Sequence, residues 1–216
     1  MPLRSTPFVN GSYYHVYNRG VEKRKIFSNN RDYERFLETL YYYSHGNPKP
    51  KFSTLKRFKL VEFEKNPKII DIACYCLMPN HFHLLIKQQI DGGIQTFMRK
   101  ILDSYTRYYN TKHRRVGHLF QGTFKAMHIE TDEQLLHISR YIHINPYVSS
   151  LVKILEDFEF SSYRHFLGIT NTNFCNKELI LESFGNSGKY KEFIDDHIDY
   201  AQTIERIKHT LIDPEE

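Results

Sequence analysis

The sequence has no tryptophan and only three cysteines in 216 residues. Three cysteines cannot form a disulfide framework, so a small secreted fold held together by disulfides is excluded. No run of residues approaches the roughly 18 consecutive apolar residues that a membrane helix needs, and the first residues lack the apolar core of a signal peptide. We therefore expect a cytoplasmic protein.

Aromatic and basic residues are what the sequence has in quantity. It contains 16 Phe and 16 Tyr, and its 40% apolar share is enough to bury a core. Residues 1–170 carry 25 Lys and Arg against 15 Asp and Glu, whereas residues 171–216 carry 5 against 10. This asymmetry predicts a body that faces a polyanion and an acidic extension with a different role.

The highest density of basic residues lies between residues 97 and 125, where seven basic side chains accompany a single acid, Asp103. The basic residues are Arg99, Lys100, Arg107, Lys112, Arg114, Arg115 and Lys125, interleaved with Tyr105, Tyr108, Tyr109 and His113. Basic side chains neutralise phosphates and flat rings stack on unpaired bases, so this segment favours single-stranded or structured nucleic acid as the partner. The alternative is a solvated helix face whose tyrosines are partly buried.

Hydrophobic periodicity predicts an α+β fold. Strands are predicted at 13–18, 69–77, 81–87 and 124–129, and helices at 30–45, 93–110 and 131–145. Thr131 is the expected N-cap of the last helix, and Pro146 is expected to end that helix at about Asn145. The order of elements favours a mostly antiparallel sheet with helices packed on one face.

Two histidines at the start of the strand predicted at 81–87 are candidate metal ligands. Alternate residues of a strand share a face and lie roughly 6.6–7 Å apart, so His81 and His83 project together while Phe82 points to the opposite side. Neutral imidazoles bind several first-row metals and can join oxygen ligands around Mg or Mn. A His-x-His pattern alone is not specific, and the alternative is a pair of polar residues on the solvated face of an edge strand.

Tyr141 and Asn145 are four residues apart on the last predicted helix, so they lie on one face of it. A tyrosine hydroxyl beside a divalent metal can act as a nucleophile on phosphorus, because the metal polarises the phosphoryl oxygens. Asn145 could supply an oxygen as a third ligand. The alternatives are a half-buried aromatic residue and an ordinary Asn-Pro pair at a helix end.

Three motifs in this order resemble a known family. They are Met-Pro-Asn-His-Phe-His at 78–83, Gly-His-Leu-Phe-Gln-Gly-Thr-Phe-Lys at 117–125 and Tyr-Ile-His-Ile-Asn-Pro at 141–146. Together they are similar to the IS200/IS605-type single-tyrosine (HUH-type) transposases, and particularly to the branch of REP-associated tyrosine transposases. The resemblance spans about residues 8–168. It includes Tyr-His-Val-Tyr-Asn-Arg-Gly at 14–20 as the first strand and Phe-Ser-Ser-Tyr at 160–163 as the usual ending.

The resemblance implies a ferredoxin-like α+β fold and metal-dependent cutting and joining of single-stranded DNA. His81 and His83 match the metal motif of the family, and Tyr141 matches its nucleophile. Asn145 falls where better-known members have Gln, which keeps an amide oxygen on a side chain one methylene shorter. The implied chemistry is transesterification with Mg or Mn. Tyr141 attacks a phosphodiester to give a 5′-phosphotyrosine link and a free 3′-OH, and a second 3′-OH then rejoins the strand.

The implied partner is single-stranded or hairpin DNA, which would place the DNA-bound protein at the nucleoid. The candidate DNA contacts are basic or polar side chains: Arg19, Lys23, Arg24, Arg99, Arg107, Arg114, Arg115, His118, Gln121 and Lys125. For each of them the alternative role is surface solubility.

The sequence leaves several alternatives open. A non-cleaving protein that binds structured DNA or RNA would share the basic segment, and a metal-dependent hydrolase of small phosphoesters would share the histidines. Residues 8–168 are the predicted transposase domain, and 171–216 are a predicted acidic, helical extension. The family includes dimers whose tyrosine helix serves the metal site of the partner, so a homodimer, with His81 and Tyr141 meeting between chains, is also open.

Overall fold

A four-stranded antiparallel sheet forms the centre of the protein, in a computed structural model that describes residues 7–46, 48, 52, 54, 66–172 and 174–198. The strands are β1 (Tyr13–Arg19), β2 (Ile70–Met78), β3 (His81–Gln88) and β4 (Lys125–Ile129). They lie in the order β2-β3-β1-β4, and every neighbouring pair is antiparallel. The strand that carries the two candidate histidines is therefore central. The alternative that they lie on the solvated face of an edge strand is wrong.

The helices alternate with the strands as the periodicity predicts. They are α1 (Asn30–Tyr43), α2 (Gly93–Lys112), α3 (Asp132–Val148), α4 (Tyr163–Phe166), α5 (Glu178–Glu182) and α6 (Ser187–Asp195). The order β1-α1-β2-β3-α2-β4, with β1 between β3 and β4, is the ferredoxin-like arrangement. The predicted fold class is confirmed. Among the described residues, no helix is long and apolar enough to cross a membrane.

Both faces of the sheet are covered by helices. On one face, the ring of Phe36 in α1 lies with its centroid 5.1 Å from that of Phe82 in β3 and 5.0 Å from that of Tyr105 in α2. On the other face, Tyr141 in α3 contacts His83, which projects away from Phe82. The prediction of helices on one face is thus correct for α1 and α2, whereas α3 adds a layer opposite. The physical reason is that Leu84, Leu85 and Ile86 are consecutive apolar residues and all need burial.

Helix α3 begins as predicted and ends later than predicted. The Oγ1 of Thr131 accepts a hydrogen bond from the backbone N–H of Gln134 at 3.2 Å, which caps the first turn. The prediction that the helix ends at Asn145 is wrong, because Pro146 lies inside the last turn. Burial of Ile142, Ile144 and Pro146 holds that turn, and the N–H of Ser149 still reaches the carbonyl of Asn145 at 3.0 Å, so packing overrides the local preference of proline.

The acidic extension packs against the outer side of α3. The buried imidazole of His143 in α3 is hydrogen-bonded through Nδ1 to the hydroxyl of Tyr190 in α6 at 2.7 Å. Its Nε2 is bonded to Oγ of Ser162, also at 2.7 Å. Arg140 donates to the carbonyl of Phe193 at 3.2 Å and lies over its ring. Residue 173 and residues 199–216 of the predicted extension lie outside the described residues.

His143 gives a prediction about acid stability. Burial lowers the pKa of this imidazole from 6.5 to about 3, so the folded protein keeps it neutral while the unfolded chain protonates it near 6.5. Its contribution to stability is therefore complete above about pH 6.5 and is lost as the pH falls towards 3. At pH 4.5 this single group should cost about 2–3 kcal/mol of the free energy of unfolding.

Urea unfolding at pH 7 and pH 4.5 measures this loss. His143→Gln keeps a polar side chain but does not titrate, so it should lose less stability on acidification than the unchanged protein. His15, His81 and His83 also have lowered pKa values and contribute equally to both proteins. An acid-induced loss that is the same in both proteins would contradict the prediction.

Candidate active site

The register between β1 and β3 places the candidate site on one face of the sheet. In the antiparallel pairing, Tyr17 lies opposite His83 and Arg19 lies opposite His81. Since alternate residues share a face, His15, Tyr17 and Arg19 project to the same side as the two predicted metal ligands. This is also the side on which α3 packs.

Asn80 fixes the orientation and the proton position of His81. The amide Nδ2 of Asn80 donates to the backbone carbonyl of Lys23 at 3.3 Å, which turns its Oδ1 towards His81. That oxygen lies 2.6 Å from Nδ1 of His81 and can only accept, so the imidazole carries its proton on Nδ1. The lone pair of His81 is therefore on Nε2, the atom that could bind a metal.

Glycine is required where the chain turns beside Asn80. The N–H of Gly20 donates to the carbonyl of Asn80 at 2.8 Å. A Cβ atom at this position would lie only 2.3 Å from the carbonyl oxygen of Arg24. The last residue of the first-strand motif thus lets β1 turn tightly enough to bring the carbonyl of Lys23 to Asn80.

His83 is oriented by a third histidine, which the sequence reasoning did not assign to the site. The Nδ1 of His83 lies 2.9 Å from Nε2 of the buried His15. If Nδ1 donates this bond, Nε2 of His83 is left as an acceptor, matching the arrangement at His81. The rings of His81 and His83 are 5.0 Å apart between centroids and perpendicular at 89°. The sequence shows only that His15 and Tyr17 share one face of β1. That face can be assigned to the site only when the pairing of β1 with β3 is known.

The structure brings Tyr141 to these histidines within one chain. Its ring centroid lies 5.4 Å from that of His83 and 5.8 Å from that of His15, in edge-to-face geometry. The side chain is 47% exposed, so the phenol stands at the mouth of the site. Tyr17 supplies a second, half-buried phenol, with its ring centroid 5.7 Å from that of His83.

Asn145 follows Tyr141 by one helical turn. Its Nδ2 donates to the backbone carbonyl of Tyr141 at 2.6 Å, which is a contact along the helix. The Oδ1 atom is the one that a cation would use. The structure thus keeps Asn145 beside the nucleophile candidate on α3, while His81 and His83 come from β3.

The site histidines are electrically neutral at ordinary pH. Burial lowers the pKa of His15 to about 4, and burial together with the positive charge of Arg19 lowers the pKa of His81 to about 4. Burial and the neighbouring histidines hold the pKa of His83 well below its usual range. Neutral imidazole is the form that binds a metal. In the described residues no group of three or more His, Cys, Asp or Glu could hold a metal ion, so a cation would need the amide of Asn145 or oxygens of the substrate.

Three of the predicted DNA contacts lie beside the site. The Nε of Arg19 donates to Oε1 of Gln121 at 2.5 Å, at the end of β1 next to His81. Lys125 in β4 lies opposite Tyr17 and shares its face of the sheet. These side chains provide positive charge and a polar group at the edge of the candidate active site.

The other predicted contacts lie further away or have structural roles. Lys23 and Arg24 follow β1 in a short 3-10 turn, where Arg24 forms an ion pair with Glu22 at 3.2 Å. The guanidinium of Arg115 donates to Oδ1 of Asn110 at 2.5 Å and to the carbonyl of His118 at 3.0 Å, so it stabilises the loop after α2. Arg99, Arg107 and His118 line a cleft of about 740 Å³ between α2 and the segment 118–124, and Arg114 is exposed after α2.

Comparison with protein families supports the resemblance found in the three sequence motifs. The family model described as "Transposase IS200 like" matches residues 53–145, a range that contains His81, His83, Tyr141 and Asn145. Over these residues the chain is similar to IS200-like transposases. The resemblance predicted from the three sequence motifs is thereby confirmed.

Solved structures show how the fold of this protein compares with known folds. A REP-associated tyrosine transposase bound to a REP hairpin matches with a TM-score of 0.56 and 16% identity, over 82% of this chain and 97% of that chain. A putative transposase from Deinococcus radiodurans R1 has a TM-score of 0.37 and 12% identity, over 65% and 95% of the two chains. A tRNA(His) guanylyltransferase from Saccharomyces cerevisiae has a TM-score of 0.39 and 10% identity, over 87% and 77%. Only the first likeness shows a shared fold. The comparison with curated proteins gives no match.

The contact between His81 and Asn80 predicts a single tautomer. In long-range ¹⁵N–¹H correlation spectra at neutral pH, His81 should be protonated on Nδ1 and bare on Nε2. It should stay neutral to about pH 5, because its pKa is about 4. Asn80→Ala removes the acceptor and should let the Nε2-protonated form appear. Observation of that form in the unchanged protein would contradict the assignment.

Proposed function

We propose that the protein is an IS200-like transposase that cuts and joins single-stranded DNA by transesterification, with Tyr141 as the nucleophile. The observation that carries the proposal is the contact of the Tyr141 ring with His83, 5.4 Å between centroids, beside His81. A half-exposed phenol next to two oriented imidazoles provides a nucleophile and a pair of metal ligands in one place. Neither a simple binding protein nor a phosphoesterase that uses water needs this phenol.

The residues present fit a divalent cation, Mg or Mn. His81 and His83 would hold it through Nε2, because their Nδ1 atoms are engaged by Asn80 and His15. Such partners of the second ring nitrogen are usual for metal-binding histidines, since they fix the tautomer and the ring orientation. Asn145 would add its amide oxygen from α3. When bound, the cation would polarise the phosphoryl oxygens and offset the charge developing in the transition state.

The chain's own groups account for the bonds that form and break. The Oη of Tyr141 forms a bond to phosphorus as its proton passes to water at the exposed mouth of the site. The bond from phosphorus to the 3′-oxygen breaks, and that oxygen leaves with a proton as a 3′-OH. The 5′-phosphate stays on Tyr141. Attack by a second 3′-OH reverses these steps, restores the phenol and joins the strands without hydrolysis.

Hairpin-containing single-stranded DNA is the substrate class that we propose. A solved structure that shares the fold, a REP-associated tyrosine transposase, is bound to a REP hairpin. In this chain, Arg19 and Lys125 place positive charge on the site's side of the sheet, where a phosphodiester entering towards Tyr141 would pass. Since the phenol and the imidazoles meet within one chain, the proposed chemistry does not require a partner subunit.

Substitution of Tyr141 tests the nucleophile. Incubation of the protein with Mn and a labelled hairpin-containing single strand should give a covalent adduct that resists denaturation. Tyr141→Phe should abolish the adduct while its fold, measured by circular dichroism, and its affinity for the strand are retained.

Two matched variants complete this experiment. Tyr147→Phe changes another partly buried tyrosine of α3 and should form the adduct as before. Tyr17→Phe should also keep it. If the adduct survives in Tyr141→Phe and disappears in Tyr17→Phe, the nucleophile is assigned wrongly. If the unchanged protein binds the strand but gives no adduct, the non-cleaving alternative replaces the proposal.

Substitution of His15 tests how the metal ligands are held. His15→Phe keeps a ring but removes the hydrogen bond to His83, and should weaken Mn binding by about 10–100-fold in calorimetry. His15→Gln retains a polar partner and should recover part of the affinity. His128→Phe, a histidine of β4 that faces the other side of the sheet, is the control and should bind Mn normally. Equal affinity in His15→Phe and the unchanged protein would remove His15 from the site.

A further inference from the structure

A second cleft lies between α1 and α2, on the face of the sheet opposite the candidate active site. Its volume is about 560 Å³, which is within the range of about 300–1,000 Å³ typical of ligand pockets. Its lining combines basic side chains with flat rings, and includes Arg31, Arg35, Phe52, Arg107, Tyr108 and Lys112. Of these, only Arg107 was among the predicted DNA contacts.

Arg35 forms the floor of this cleft. Arg35 is only 8% exposed. Its guanidinium carbon lies 4.0 Å from the ring centroid of Phe52 and 5.5 Å from that of Tyr108. Within the described part of the chain, its Nη1 is buried and has no hydrogen-bond partner. A buried charged donor left without a partner is costly, so this atom indicates a site for an acceptor that comes from outside the chain.

The charges around the cleft leave it positive. Lys112 is paired with the buried carboxylate of Asp32 at 2.5 Å, and Asp32 also accepts from the hydroxyl of Tyr108 at 2.9 Å. Glu38, exposed one turn along α1, attracts Arg35. Arg31 and Arg107 are exposed at the rim and add two positive charges. An anion that enters the cleft therefore meets a net excess of guanidinium groups.

We propose that this cleft binds one nucleotide of single-stranded DNA, with its phosphate on Arg35 and Arg31 and its base against the ring of Tyr108. Guanidinium groups favour phosphate because their planar N–H donors match its oxygens. Tyr108 is half-buried, and the accessible part of an aromatic face stacks on any base, so recognition here is of nucleotides and not of a sequence. The proposal takes its ligand class from the proposed function, but it does not depend on the chemistry of Tyr141.

The position of the cleft gives it a separate role from the active site. α1 and α2 cover the Phe82 face of the sheet, whereas Tyr141 and the histidines lie on the other. A strand that occupies the cleft is held at a point away from the bond being cut. The cleft would therefore add affinity without contacting the reacting phosphate.

Binding of an unstructured thymidine 12-mer, followed by fluorescence anisotropy from about 50 to 200 mM salt, tests the proposal. Arg31→Gln should weaken binding at least threefold and reduce the slope of log K against log salt by about 0.7, the value for one phosphate on a single strand. Arg35→Gln should weaken binding tenfold or more. Lys189→Gln, which removes an exposed charge on α6, is the matched control and should change affinity less than twofold.

A pair of variants at Tyr108 isolates the ring. Both lose the hydrogen bond to Asp32, so Tyr108→Phe should bind the 12-mer at least fivefold more tightly than Tyr108→Leu. Normal affinity in both Arg31→Gln and Arg35→Gln, with folding verified by circular dichroism, would overturn the proposal. If thymidine monophosphate binds as tightly as the 12-mer, the cleft is a mononucleotide site and the proposal is also wrong.

The adduct experiment separates this proposal from the proposed function. At saturating DNA, the control Lys189→Gln should form the Tyr141 adduct as fast as the unchanged protein. If no adduct forms in any protein while Arg31→Gln and Arg35→Gln still lose affinity, the cleft assignment stands and the cut-and-join chemistry fails. If the adduct forms and the cleft variants bind DNA normally, the cut-and-join chemistry stands and the cleft assignment fails.

Discussion

The backbone pairing of β1 with β3 determines which side chains share the candidate active site. It sets Tyr17 opposite His83 and Arg19 opposite His81, and so brings His15 to the nitrogen of His83. A slip of one residue in β1 would turn His15 and Tyr17 to the Phe82 face and replace them with Tyr14 and Val16. Every contact described around the histidines depends on this register, and apolar burial on both faces of the central strands is what enforces it.

The elements, and the faces on which the candidate residues of β3 and α3 lie, could be predicted because they follow local periodicity. The alternation of His81, Phe82 and His83 fixes two faces of a strand, and the spacing of Tyr141 and Asn145 fixes one face of a helix. The contact of His15 with His83 could not be predicted, since it depends on a strand far along the chain. The end of α3 could not be predicted from local sequence either, because burial of Pro146 and its neighbours outweighs the usual effect of proline on a helix. The packing of α3 on the second face likewise became clear only from the pairing of the strands.

Burial of the histidine cluster has two effects: it keeps the imidazoles neutral, and it removes water from their ring nitrogens. A neutral imidazole is a competent ligand, and burial of His15, His81 and His83 keeps all three neutral well below physiological pH. The same burial removes water that would otherwise satisfy the ring nitrogens, which is why each ring needs a defined partner. Asn80 and His15 meet that need for His81 and His83, and Asn80 is in turn held by the carbonyl of Lys23. The orientation of His81 and His83 thus depends on the turn after β1 as much as on β3.

The attachment of α3 to the C-terminal helix limits how the protein can rearrange. His143 and Arg140 tie the back of α3 to Tyr190 and Phe193 of the same chain, and the bonds of His143 are fully buried. Exchange of α3 between two molecules would have to break these bonds or carry α6 across as well. In the proposed reaction each molecule would therefore keep its own Tyr141 beside its own His83, and any exchange would involve strands of DNA and not helices of protein.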